Sequence, residues 1–214
     1  MKCPLCDQRK AKRNCPAKSA LICAQCCGEK RIFEIDCPES CPYLKAGRER
    51  ETEEYVRRLR SLDAGAQERN RRIFKDCQDA IVRIEYALSQ ERLMSHDMTD
   101  RDVVQAVDVL LETYKTEDKG VLYERTSEDL RIEPLRRELR KIIESLRNPE
   151  GTETKGIVDA QSPRLSLSST IDCLEYIRST AMMYLQDRRT NSSYIDFLAR
   201  VIPRKETRSS IIMP

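Results

Sequence analysis

Cys3-Pro4-Leu5-Cys6, Leu21-Ile22-Cys23-Ala24-Gln25-Cys26-Cys27 and Cys37-Pro38-Glu39-Ser40-Cys41 decide how the start of this chain must fold. With Cys15, they hold eight of the ten cysteines of a 214-residue sequence. The segment has Leu5, Leu21, Ile22, Ile32, Phe33 and Ile35 to bury and little else, too little for a hydrophobic core of its own. Cysteine pairs two or three residues apart are the spacing at which thiolates chelate a metal. Eight of them supply two closed sites of four thiolates each. Metal binding then has to provide most of the folding free energy of this segment.

A disulfide framework is the rival reading, and it needs an oxidising compartment. The start, Met1-Lys2-Cys3-Pro4, has no apolar signal-peptide core. No stretch approaches the ~18 apolar residues of a membrane span. The expectation is a reducing, cytoplasmic setting with two zinc ions as cofactor and no membrane partner. A single iron–sulfur cluster would strand four cysteines.

The eight ligands can be shared sequentially, with Cys3, Cys6, Cys15 and Cys23 on one ion and the rest on the other. They can also interleave, with Cys3 and Cys6 joining the Cys23 pair while Cys15, Cys37, Cys41 and one of Cys26 or Cys27 hold the second ion. Interleaving is favoured. Cys3-Pro4-Leu5-Cys6 reads as a zinc knuckle, and Leu21-Ile22-Cys23 as a short strand leading to the second pair. Adjacent Cys26 and Cys27 project in different directions and so serve different ions; spacing alone does not assign them.

Cys3-x2-Cys6-x8-Cys15-Pro16, Ile22-Cys23-x3-Cys27 and Cys37-x3-Cys41 resemble the HIT-type zinc finger, a cross-brace finger related in layout to MYND and B-box fingers. The resemblance covers residues 1–41 only. Two positions depart from the pattern: the fourth ligand would fall on Lys18, and the seventh, usually His, is Cys37. With Cys26 replacing the missing fourth ligand, the resemblance implies Cys3, Cys6, Cys23 and Cys27 on one ion and Cys15, Cys26, Cys37 and Cys41 on the other. It also implies a docking role toward a protein partner, without catalysis. The plainer alternative is a metal-stapled cap on the helical body.

Four thiolates per ion leave no coordination position for a reacting water, and the single histidine is His96. A zinc hydrolase is disfavoured. The chain also lacks a Gly-rich phosphate loop, a nucleophile elbow and any conspicuous pair of catalytic carboxylates.

Residues 1–45 hold nine Lys or Arg against five Asp or Glu. Eight thiolates and two zinc ions together cancel that surplus, and they take the whole chain from a formal +3 to about −1. The global electrostatic case for a phosphate partner disappears. A local one remains in Arg9, Lys10, Lys12 and Arg13, which could contact RNA or DNA, with Arg57, Arg58 and Arg60 as a second cluster. Base stacking would need aromatics interleaved with these cations, and the segment offers only Phe33 before Tyr43. The blander reading is that the cations offset the charge of the thiolates. A third possibility is a thiol or zinc redox switch at Cys26 and Cys27, next to Lys30 and Arg31.

From residue 45 on, Arg, Glu, Leu and Ile dominate and strand-like alternation is absent. The expected fold class is mostly α: a small N-terminal two-zinc finger followed by a bundle of about five helices. The expected organisation is 1–44 finger, 45–147 helical region, 148–164 linker, 165–203 C-terminal helices packing on that region, and 204–214 flexible tail. Residues 45–60 predict a charged helix, with 61–65 a break or a continuation. Ile73, Cys77, Ala80, Ile81, Ile84, Ala87 and Leu88 form an apolar stripe over 66–95. Thr99 caps the next helix. Pro134 sits in the first turn of another. Ser168 or Ser169, then Ser192 or Ser193, start the last two. Cys77 and Cys173 read as packed thiols rather than ligands.

Overall fold

The computed structural model describes residues 1–149, 164–186 and 193–203. The linker expected at 148–164 falls largely outside them, and the tail expected at 204–214 wholly so. The chain is mostly α-helical, with one small two-stranded sheet. Its described residues form two compact units, Met1–Glu53 with residues 199–203, and those lying within Glu54–Leu198.

The first unit is built around the cysteines. Strands β1 (Arg13–Cys15) and β2 (Ala20–Ile22) pair antiparallel, Cys15 opposite Ala20 and Arg13 opposite Ile22. Ser19, with φ 47°, turns the chain between them. Helix α1 (Ala24–Lys30) follows directly, and α2 (Pro42–Arg60) begins in this unit. The interior consists of Cys3, Cys15, Cys23, Cys26 and Cys27 with Ala11, Ile22 and Ile35. More thiols than aliphatic side chains lie at its centre, in keeping with a segment that cannot fold on apolar burial alone.

The second unit contains α3 (Ala64–Met94), α4 (Asp100–Asp118), α5 (Glu133–Arg147) and α6 (Leu167–Leu185), with the end of α2 and most of α7 (Ser193–Val201). The predicted break after α2 is confined to Ser61–Asp63, because the Asp63 carboxylate accepts from the Ala66 amide at 2.9 Å and caps α3. Thr99 caps α4 as expected, in a reciprocal box with Asp102: Asp102 N donates to Thr99 Oγ1 at 3.3 Å, and Thr99 N to Asp102 Oδ2 at 2.8 Å. Helix α6 starts earlier than expected. Ser166, not Ser168 or Ser169, accepts from the Ser169 amide at 3.0 Å.

The predicted stripe on α3 is buried, and α4 packs against α5 and α6 while α3 packs against the same two helices. Ile81, Ile84, Leu88, Val107, Leu110, Leu139, Ile143, Leu174 and Ile177 lose all contact with solvent. Each such side chain contributes about 1.5–3 kcal/mol. Cys77 and Cys173 are both buried and hydrogen-bond to one another, and α3 is kinked at Cys77.

Two polar contacts tie α7 into this core. The Asp100 carboxylate, fully buried at the first turn of α4, accepts from the backbone amides of Tyr194 at 3.0 and 3.2 Å and of Ile195 at 3.1 Å. It does for α7, from a distant part of the sequence, what a local N-cap residue would do. Arg92 Nε donates to Asp196 at 2.8 Å, and its Nη1 to the carbonyls of Ser95 and His96.

Candidate metal centre

The first knuckle turns because Asp7 adopts φ 50°, a conformation that Asp tolerates better than most residues. Its amide donates to the Cys3 carbonyl at 2.8 Å, and the Cys3 amide to the Arg9 carbonyl at 2.8 Å. The turn aims the amides of Gln8 and Arg9 at the Cys6 sulfur, and these donors pull the Cys6 thiol down to about 6. On the other side, Cys23 caps α1, its sulfur accepting from the Cys26 amide at 3.3 Å. That contact lowers the Cys23 thiol as well.

Cys3, Cys6, Cys23 and Cys26 bring their sulfurs within 4.8 Å of one another. Among the described residues this is the one group of three or more Cys, His, Asp or Glu gathered so closely. The edge of a tetrahedron with metal–sulfur bonds of 2.3 Å is about 3.8 Å, so small adjustments would let all four sulfurs bind one ion. The donor set fits a soft or borderline metal, and four sulfurs fill a tetrahedral site. Burial pushes the Cys26 thiol up to about 12, so this group keeps its proton longest and would give it up on metal binding.

The interleaved arrangement places Cys3 and Cys6 with Cys23, as the sequence favoured. The pairing implied by the HIT-type resemblance put Cys27 fourth, whereas the sulfur gathered with those of Cys3, Cys6 and Cys23 is that of Cys26. Both cysteines are on α1, where successive side chains diverge by about 100°. Cys27 turns away from the first group and, with Cys15, Cys37 and Cys41, lines a separate small cavity between Ile22, Ile35 and Tyr43. Desolvation raises the Cys37 thiol, against a hydrogen bond from the Ile32 amide; Cys41, Cys15 and Cys27 raise it further. Ile32 supplies that amide from φ 70°, a strained value for a β-branched residue.

The basic loop is only partly free for other work. Desolvation lowers the Arg9 guanidinium, while its hydrogen bonds to the Cys23 and Cys6 sulfurs raise it, and the net shift is upward. Arg13 stacks its guanidinium over the Tyr43 ring at 5.0 Å. Lys10 and Lys12 are exposed. Arg9 therefore spends part of its donor capacity on the Cys23 and Cys6 sulfurs.

Sequence reasoning missed Arg31, which it placed only among the possible surface cations. Arg31 is 4% exposed. Its guanidinium lies between Gly28 of α1 and Gly47 of α2, Nη1 donates to the Tyr43 carbonyl at 3.4 Å, and Nε has no hydrogen-bond partner among the described residues. Gly47, inside an otherwise highly charged helix, was the available signal: glycine there costs about 1 kcal/mol relative to alanine unless something needs the space.

Comparison of the chain with protein-family models, with curated proteins and with solved structures gives no match. The HIT-type resemblance rests on cysteine spacing alone. No helix among the described residues is long and apolar enough to cross a membrane.

Proposed function

We propose that the first unit is a two-zinc finger and that the chain is a non-catalytic protein-interaction adaptor. Cys3, Cys6, Cys23 and Cys26 hold one zinc ion; Cys15, Cys27, Cys37 and Cys41 hold the other. The observation that carries this reading is the closure of the first sulfur group. Four thiolates occupy every position of a tetrahedral ion, so the metal serves structure and leaves none for substrate. The shared cavity of the other four cysteines supports the second ion. The engagement of Arg9 by Cys23 and Cys6 counts against the basic loop as a nucleic-acid site.

Two measurements test this together. Elemental analysis of the purified chain should find two zinc ions per molecule. Capture of partners from native extract, with zinc retained, should recover a protein that survives nuclease treatment. One metal or none would remove the second site or both. Partners that vanish with nuclease would move the function to RNA or DNA.

A further inference from the structure

The second unit contains a groove in which apolar floor and cationic rim coincide. The last turns of α2 and the first turns of α3 enclose a cavity of about 320 Å³. Tyr55, Val56, Leu59 and Phe74 form its floor with Tyr176 of α6. The two tyrosine hydroxyls are hydrogen-bonded to each other at 2.6 Å, one donating and the other accepting. Phe74 is 40% exposed. A second cavity of about 150 Å³ shares Leu59 and Asn70 with the first and continues along Leu62, Ala66 and Met183.

The charged residues lining these two cavities are all of one sign. Arg60 and Arg71 border the first and Arg69 the second, and neither is lined by Asp or Glu. Arg71 pairs with Glu68 on the exposed face of α3. Arg60 and Arg69 are exposed and have no ion pair among the described residues. A larger cleft of about 670 Å³ adjoins these cavities and shares Arg69, Asn70 and Tyr176 with them. There Arg178 is paired with Asp108, Lys115 with Glu175, and Glu112 with Arg125, so Arg69 is the lining cation left without an ion pair among the described residues.

We infer that the α2–α3 groove docks an acidic, amphipathic peptide segment of a protein partner. Apolar side chains of that segment cover Val56, Leu59 and Phe74, and its carboxylates face Arg60, Arg69 and Arg71. Recognition of this kind takes affinity from the apolar floor, with orientation and on-rate coming from the charged rim. A single-stranded nucleic acid suits the groove less well, because it needs exposed ring faces for its bases and Phe74 alone supplies one to a useful degree. The inference goes beyond the zinc-finger reading and does not depend on metal.

The test is selection of a random library of peptides, about 16 residues long and so about four helical turns, against the full zinc-loaded chain. Enriched peptides should be net acidic with apolar residues at helical spacing. The double variant Arg60→Glu with Arg69→Glu should weaken their binding by about tenfold or more. The charge-matched control, Arg101→Glu with Lys141→Glu, should leave it unchanged, and circular dichroism should show both variants folded. Several results would overturn the proposal: enrichment of neutral or basic peptides, equal loss in the control, no enrichment, or a labelled single-stranded oligonucleotide that binds in the groove and is released by the Arg60/Arg69 reversal. Zinc content measured on the same samples separates failure of the groove from failure of the finger.

Discussion

The guanidinium of Arg31 occupies the place where a side chain on Gly47 would begin: a β-carbon built there lies 1.3 Å from Nη1. The finger's buried arginine and the glycine of α2 are therefore one packing unit. Gly47→Ala alone should destabilise the first unit, because expelling a buried guanidinium costs more than the ~1 kcal/mol of helix propensity gained. In an Arg31→Ala background the same substitution should become neutral or stabilising by up to about 1 kcal/mol. Denaturant midpoints of the four chains in this cycle measure the coupling. Additive effects would mean the two residues act independently.

Asp7 adopts a left-handed conformation that aims two amides at Cys6. Asp7→Gly should preserve metal affinity, whereas Asp7→Val, β-branched at φ 50°, should weaken it by about tenfold, for a strain of roughly 1–2 kcal/mol. Competition with a chromophoric chelator reads this directly. Equal affinities for the two variants would show that the turn does not need that backbone conformation.

Cys26 and Cys27 make separable predictions. Cys26→Ser should lose the ion of the first group while the Cys15, Cys27, Cys37 and Cys41 set keeps its own. Cys27→Ser should do the reverse. Native mass spectrometry should find one ion in each single variant and none in the double. If Cys27→Ser still carries two, that residue is not a ligand.

The α4 boundary and the α3 stripe were legible because their signals are local: Thr99 with Asp102 three residues on, and apolar residues every three or four positions. The α6 cap was misplaced because Ser166, Ser168 and Ser169 all qualify by type, and only the position of the first unpaired amides selects among them. The gathering of Cys3, Cys6 and Cys23 was legible in the spacing of the cysteines. Which of Cys26 and Cys27 joins them was not, since it depends on where α1 starts and hence on which sulfur faces inward. The burial of Arg31 left only an indirect mark, because the space it fills is created by Gly47, 16 positions later, and the glycine does not say which side chain needs it.

Acidity should act on the second unit in two opposite ways. Burial pushes the Glu85 carboxyl up to about 7, although the Tyr194 hydroxyl donates to it at 2.8 Å. The folded chain keeps a proton that the unfolded chain releases near 4.5. That advantage is complete below about 4.5 and is lost as pH rises through 7. Asp100, pushed up to about 6 by burial, has the same sign. Glu133, held down to about 2 by Arg136, has the opposite one: its stabilisation is present above 4.5 and is lost as pH falls through 2. Melting temperature should therefore decline from pH 5 to 8, and Glu85→Gln should flatten that decline. Parallel curves for variant and parent would remove Glu85 as the cause.

The Asp100 carboxylate has a consequence for the birth of the chain. Translation delivers α4 long before Tyr194 and Ile195, whose amides are the donors this acid meets in the finished core. Until those two residues leave the ribosome, the start of α4 must stay wetted or protonated, because burying an ionised carboxylate without donors is too costly. The helices of the second unit can form one after another during synthesis, but they can seal only at the end. A message truncated before α7 would give a product that cellular quality control should recognise as unfinished, even with all eight N-terminal cysteines in place.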